Sequence, residues 1–253
     1  METLKIGDAI TVGIGFGTIG CILRVKDSER HKGLYILTNG HVTANANGVI
    51  TKGTSVYLGK AGEGSTLTEK VAGKVKIAAV FKGLKEFNHK YGYVDWSLCK
   101  IVSNERIVVK NEVEIDGSHQ LITKMTDATD DMRVVKKGAR SGYTVGTVRE
   151  SDFRGNVDYL DSYPQTVAAG KGVSSFIGRD FILRGDSGAL IVEKGTGKAV
   201  SLIFGSDEVV NAYGIPIMRI FTSIQDKTLL DFEIAPNGDY IDGERVEVAA
   251  VEM

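Results

Sequence analysis

Short runs rich in Val, Ile, Thr and aromatic residues, broken by glycine-containing turns, recur along almost the whole chain. β-Branched and aromatic side chains suit the pleated backbone of a strand better than a helix. Runs this short, at this spacing, build β-barrels or sandwiches. The candidate strands are 9–14, 18–26, 33–38, 54–59, 70–81, 94–102, 132–137, 142–151, 179–183, 188–194, 198–205 and 209–215. Proline is scarce at 3 residues, whereas the 31 glycines supply turns. Only 216–225 carries a clear helical period: Ile217, Ile220, Phe221 and Ile224 share one face, and Pro216 suits a first turn. Residues 104–131 are polar and weakly patterned, which suits a connection between two halves.

Bulk properties remove several classes of function. An apolar fraction of 42% is that of an ordinary folded domain, and a net charge of −1 leaves no electrostatic footprint for nucleic acid or anionic lipid. No run approaches the roughly 18 apolar residues of a membrane span. The opening METLKIGDAI lacks the basic and apolar segments of a secretory signal. The two cysteines, Cys21 and Cys99, both lie in apolar stretches and read as buried thiols in a reducing compartment rather than as a disulfide. A cytoplasmic location is therefore expected. Gly15-Phe16-Gly17-Thr18-Ile19-Gly20 has the spacing of a dinucleotide-binding turn, but a strand-like CILRV follows it and no acid stands about twenty residues on. It reads as a glycine-rich hairpin, and neither cofactor nor metal is expected.

The chemistry concentrates at three places. Residues 183–191, LRGDSGALI, are either a surface turn or an exposed serine nucleophile. His41 follows an apolar strand, Tyr35-Ile36-Leu37-Thr38, and its turn. Asp95 interrupts another strand start, where burying a carboxylate would be costly without a partner. Taken together, His41, Asp95 and Ser187 occur in the chain order of chymotrypsin-like enzymes and not of subtilisins or α/β-hydrolases.

The surrounding residues carry the resemblance further. LTNGHV, VDWSLCKI and GDSGALIV resemble the histidine, aspartate and serine motifs of the trypsin-like serine proteases. Lys137 to Val148 resembles the segment that opens their second barrel, and Val200-Ser201-Leu202-Ile203-Phe204-Gly205 resembles the strand lining their cleft. The likeness runs from about residue 10 to about 226 and is strongest to the signal-less intracellular and bacterial-type branch, through Gly17-Thr18-Ile19-Gly20-Cys21.

The resemblance implies an all-β fold of two six-stranded antiparallel barrels with a C-terminal α-helix. Its parts would be an N-terminal barrel at 1–110 with His41 and Asp95, a connection at 111–131, a C-terminal barrel and helix at 132–230 with Ser187, and a tail at 231–253. The tail would add an edge strand, cover the cleft or serve as a docking segment. The implied activity is that of an endopeptidase in which His41 activates Ser187, Asp95 orients His41, and the N–H groups of Gly185 and Ser187 form the oxyanion hole. Phe181 would form the base of the P1 pocket or belong to the core, with Gly205 and Gly214 on the walls and Arg184 at the mouth. Without an acid at 181, preference for Arg or Lys is not expected. Residues 201–205, including Ser201 and Phe204, would pair with substrate backbone.

In secreted relatives the aspartate before the nucleophile pairs with an N-terminus released by cleavage. A cut after Lys5 would expose Ile6-Gly7 here, a route the resemblance does not favour. The expected partners are a protein or peptide substrate and a regulatory protein, not nucleic acid or membrane. The expected role is limited proteolysis of specific intracellular proteins. The competing reading is a protease-fold binding module with little or no catalysis.

Overall fold

The computed structural model describes residues 2–13, 15–26, 32–59, 76–88, 90, 92–102, 106–154, 173–178, 180–206 and 211–241. After a first strand β1 (Glu2–Lys5), the N-terminal half contains β2 (Ala9–Val12), β3 (Gly15–Thr18), β4 (Cys21–Val25), β5 (Leu34–Thr38), a single helical turn α1 (Gly40–Thr43), β6 (Ser55–Leu58), β7 (Lys76–Asn88) and β8 (Gly92–Ile101). The pairings run β3-β2-β6-β7-β8-β5-β4. Because only Ile19 and Gly20 separate β3 from β4, the first and last of these seven strands are consecutive in the chain, which gives the sheet a barrel-like form.

Period-2 alternation divides these strands between two cores. Ile22, Leu34, Ile36 and Cys99 fill the first barrel, while Cys21, Leu23, Tyr35, Val94, Trp96 and Leu98 face the second half of the chain. The two cysteines thus lie in different cores, and both are free thiols.

The connection is more ordered than its weak patterning suggests, with β9 (Ile107–Lys110), β10 (Glu112–Ile115) and β11 (Ser118–Leu121). The second barrel is closed, in the order β12 (Arg133–Gly138), β13 (Gly142–Phe153), β14 (Val173–Ile177), β17 (Asn211–Pro216), β16 (Ala199–Ser206) and β15 (Leu190–Glu193). Val134, Val148, Phe176, Ile191, Val200 and Ile203 fill it. Helix α2 (Ile217–Thr228) buries Ile217, Ile220 and Ile224 on the core shared by the two halves, and Trp96 Nε1 donates to Ser223 Oγ at 2.9 Å.

The strand expected at 179–183 is absent from the described part of that stretch. Asp180 adopts φ 50, Phe181 N–H bonds to Gly178 O, and Leu183 N–H bonds to the Asp186 carboxylate, so this backbone finds its partners in turns rather than in a ladder. The neighbouring strand is β14, whose Ser174 and Ser175 break the apolar signal. Parts of the strands expected at 9–14, 70–81 and 209–215 lie outside the described residues.

Of the three roles considered for the tail, its described part adopts that of an edge strand. β18 (Phe232–Ile234) pairs with β4, and β19 (Tyr240–Ile241) pairs with β9 on the side opposite β1. Asn111 fastens this arrangement. Its Oδ1 accepts from Ile22 N–H at 2.8 Å, and its Nδ2 donates to Ile22 O at 2.8 Å and to Ala235 O at 2.7 Å.

Candidate active site

Strand β5 delivers the chain to Asn39, whose Nδ2 donates to Asp95 O at 2.9 Å, and α1 then places His41 over β8. His41 N–H donates to Asp95 Oδ1 at 2.9 Å, and His41 Nδ1 lies 2.5 Å from Asp95 Oδ2. The carboxylate is fully buried, while the imidazole retains 14% exposure. Burial works to raise the pKa of Asp95, but the His41 ring beside it, the hydrogen bonds from His41 and the charge of Lys85 hold it below the usual carboxylate value. An ionised acceptor at Nδ1 orients the ring and leaves Nε2 outside this contact.

Ser187 sits on a compact turn that starts at Leu183. Asp186 N–H bonds back to Leu183 O at 3.0 Å, and Ala189 N–H to Asp186 O at 2.8 Å. Gly185 and Gly188 take φ values of 108 and 92, which L side chains rarely adopt. A side chain at Gly188 would also sit 2.2 Å from Thr38 Oγ1. Among the described residues, no acceptor takes the N–H of Gly185 or Ser187, which leaves both donors for an oxyanion.

Thr18 clamps this turn to the first barrel. Its N–H donates to Ser187 O and its Oγ1 to Gly185 O, each at 2.9 Å. Gly17 explains the close approach: a Cβ there would lie 2.6 Å from the Val42 side chain and 2.9 Å from Ser187 O, so the neighbour of His41 and the backbone of Ser187 flank one Cα. The stretch that imitates a dinucleotide-binding turn is therefore the seam between His41 and Ser187.

Asp186, directly before the serine, is buried and pairs with an equally buried Lys136, whose Nζ lies 2.9 Å from Oδ2. Leu183 N–H also donates to Oδ2, and the N–H groups of Arg140 and Ser141 donate to Oδ1, all at 3.0 Å. Burial would raise the pKa of Asp186, but Lys136 and these donors hold it below the usual value. Sequence reasoning missed both Thr18 and Lys136. The signal for Lys136 was available: in the run Val134-Val135-Lys136 it shares the inward face with Val134.

The residues expected to bind substrate divide into two groups. Phe181 takes the second of its two readings, since its ring is buried in the second barrel, 6.0 Å from the Phe176 centroid and under the Lys136 ammonium at 5.4 Å. Ser201 is fully buried, and a Cβ at Gly214 would meet it at 2.8 Å, so these two face each other inside the barrel. Arg184 is exposed beside the turn, and Phe204 packs on Tyr93 with ring centroids 5.3 Å apart. β15 and the Gly188–Ala189 backbone already occupy one edge of β16 from Ser201 to Ile203. Of the expected pairing stretch 201–205, only Phe204 and Gly205 lie beyond the part of β16 that β15 and the Gly188–Ala189 backbone flank.

Solved structures show where this architecture recurs. Protease A of Thermobifida fusca superposes with a TM-score of 0.61 at 17% identity, covering 92% of this chain and 100% of its own. A glutamic acid-specific serine protease described as using a histidine triad in substrate binding gives 0.60 at 16%, with 92% and 100% covered. The chymotrypsin of Cellulomonas bogoriensis gives 0.55 at 14%, with 92% and 100% covered. No protein-family profile and no curated protein sequence matches the chain. The fold is that of the chymotrypsin-type serine proteases.

Proposed function

We propose that this protein is a serine endopeptidase acting through His41, Asp95 and Ser187. The observation carrying the reading is the buried Asp95 carboxylate engaging both the N–H and Nδ1 of His41, on a fold whose Ser187 turn keeps two N–H groups without an acceptor among the described residues. In this mechanism Ser187 Oγ attacks the peptide carbonyl carbon as His41 Nε2 takes its proton. The negative charge arising on the carbonyl oxygen is held by the N–H groups of Gly185 and Ser187. The proton on His41 then passes to the leaving amine, the C–N bond breaks, and an acyl-Ser187 ester remains. Water, deprotonated by the same imidazole, hydrolyses that ester and restores the serine.

Substrate backbone would pair with β16 within the expected 201–205 stretch, at Phe204 and Gly205, with the exposed Arg184 at the mouth of the P1 pocket. The free thiols of Cys21 and Cys99 support a reducing, cytoplasmic setting, and with it limited proteolysis of intracellular proteins under a regulatory partner. Among the described residues no helix is long and apolar enough to cross a membrane.

Labelling by a fluorophosphonate probe tests the reading. The wild-type chain should react and Ser187→Ala should not, while Asp95→Asn should lower turnover of a reactive ester about 10⁴-fold. A folded wild-type chain that reacts no faster than Ser187→Ala would favour the binding-module reading instead.

A further inference from the structure

Strands β7 and β8 form a long antiparallel hairpin whose register changes once. Before the change Ala79 pairs with Lys100 and Val80 with Cys99; after it Lys82 pairs with Leu98, Gly83 with Ser97 and Lys85 with Asp95. The extra residue is Phe81. Had the first register continued, Leu84 would stand opposite Asp95; the bulge brings Lys85 there instead. Bulges beside a site re-aim the side chains around them. Residues paired across antiparallel strands share a face, with Cβ atoms about 5 Å apart. A half-buried lysine thus shares a face with the fully buried carboxylate that holds His41. Behind burial, which raises the pKa of Asp95, and the His41 ring, which lowers it, the charge of Lys85 is felt at Asp95 and lowers it further.

Both strands of the hairpin also meet the histidine turn. A Cβ on Gly40, the residue before His41, would lie 2.8 Å from Leu84 O and 2.9 Å from Asp95 Oδ1. The other charged groups around α1 are directed elsewhere. β2 and β3 carry none. Lys82 and Glu86 pair with Leu98 and Val94 on the opposite face of the hairpin, and Glu86 takes Lys227 of α2 at 3.5 Å. Lys100 lies on that opposite face too. Lys52, from the segment whose Ile50 reaches Gly40, sits over the Phe81 ring at 5.9 Å. In the nucleophile turn Asp186 is paired with Lys136, and Arg184 is exposed. Between the bulge and the hairpin tip, Lys85 and Asp95 are therefore the charges on the face that holds His41, among the described residues. The carboxylate favours the imidazolium, which cannot take a proton from Ser187, and a neighbouring cation opposes it.

We propose that Lys85 is a positioning residue whose charge, set opposite Asp95 by the bulge at Phe81, offsets the carboxylate at the imidazole and extends the reactivity of Ser187 to lower pH. The proposal deepens the endopeptidase reading and rests on it for its kinetic readout.

The rate at which Ser187 takes a fluorophosphonate, followed from about pH 5 to about pH 9, gives a plateau and a pH of half-maximal rate. Lys85→Gln and Lys85→Met should move that pH up alike, by about half a unit, and Lys85→Glu by about one unit. Lys85→Arg should leave it at the wild-type position. The plateau of the two neutral variants should rise by up to about twofold, as a stronger base gives. A lysine that merely packs the hairpin would instead lower the plateau without moving the half-maximal pH, and that result overturns the proposal. So does a half-maximal pH that falls in the neutral variants, or one that moves as far in Lys85→Arg as in Lys85→Gln. Should Lys85→Glu fail to fold, the two neutral variants and Lys85→Arg decide the matter. The same substitutions in a Ser187→Ala chain, followed by the pH dependence of the His41 ring signals in NMR, should give the same upward order with no reaction involved. If wild-type Ser187 labels at no pH, the endopeptidase reading falls, and the ring signals still decide the role of Lys85: a midpoint blind to the charge at 85 overturns it.

Discussion

Asp95 and Asp186 are buried carboxylates held in different ways, one by the ring and backbone N–H of His41, the other by the Lys136 ammonium and three backbone N–H groups. Both have folded pKa values below the 3.8 of a free side chain. A depressed carboxylate contributes stability that is fully present above the unfolded value and is lost as pH falls through the folded one. The midpoint of urea unfolding should therefore be insensitive to these two groups from neutrality to about pH 5, and should drop steeply below pH 4. A midpoint unchanged down to pH 2 would contradict the pairing of both. At this scale the sequence was most legible for His41, Asp95 and Ser187, because each sits in a local pattern and their order is informative. Lys136 was harder to see, since a lysine in a strand ordinarily signals solvent, and only its partner fifty residues away makes burial tolerable.

At the level of elements, β3 does more than close a hairpin. Thr18 at its end holds the carbonyls of both Gly185 and Ser187, and Ala139 N–H donates to the same Thr18 Oγ1 at 3.1 Å. Thr18→Val keeps the shape but removes the hydroxyl, leaving a buried donor and acceptor unpaired at a cost of about 2 kcal/mol. Thermal unfolding should report that loss, and Ser187 labelling should slow while β3 keeps its register. Unchanged stability and labelling together would show that the nucleophile turn does not depend on the clamp. Strand existence was readable where β-branched, aromatic and other apolar residues cluster, as in β4, β5, β8 and β16. It was not readable in β1, β9, β10 and β11, whose sequences ETLK, IVVK, EVEI and SHQL are too short or too polar to signal without their partners. The expected strand at 179–183 misled for the opposite reason: Phe181 and Ile182 are apolar because they pack on a core, not because they pair.

Across the whole molecule, the segment after α2 belongs to the second half in sequence and to the first in space. Arg24 pairs with Glu233 and Asp239, Lys26 with Asp231, and Asn111 joins the connection, β4 and the returning chain in one set of bonds. The ion pairs are exposed and add little. Asn111 is buried, and Asn111→Ala would orphan the N–H of Ile22 and the C=O of Ala235, while Ile22 O keeps the N–H of Ala235, costing about 3 kcal/mol. Calorimetry should show that loss, with the second barrel unfolding as before; a shift of less than 1 kcal/mol would mean water replaces the side chain.

Strand β9 receives Glu2 on one side and Ile241 on the other, both opposite Ile107. Two strand spacings put those backbones roughly 10 Å apart. Two stretches almost 240 residues apart in sequence thus depend on one short strand, so a substitution that loosens β9 should free both from the first barrel at once.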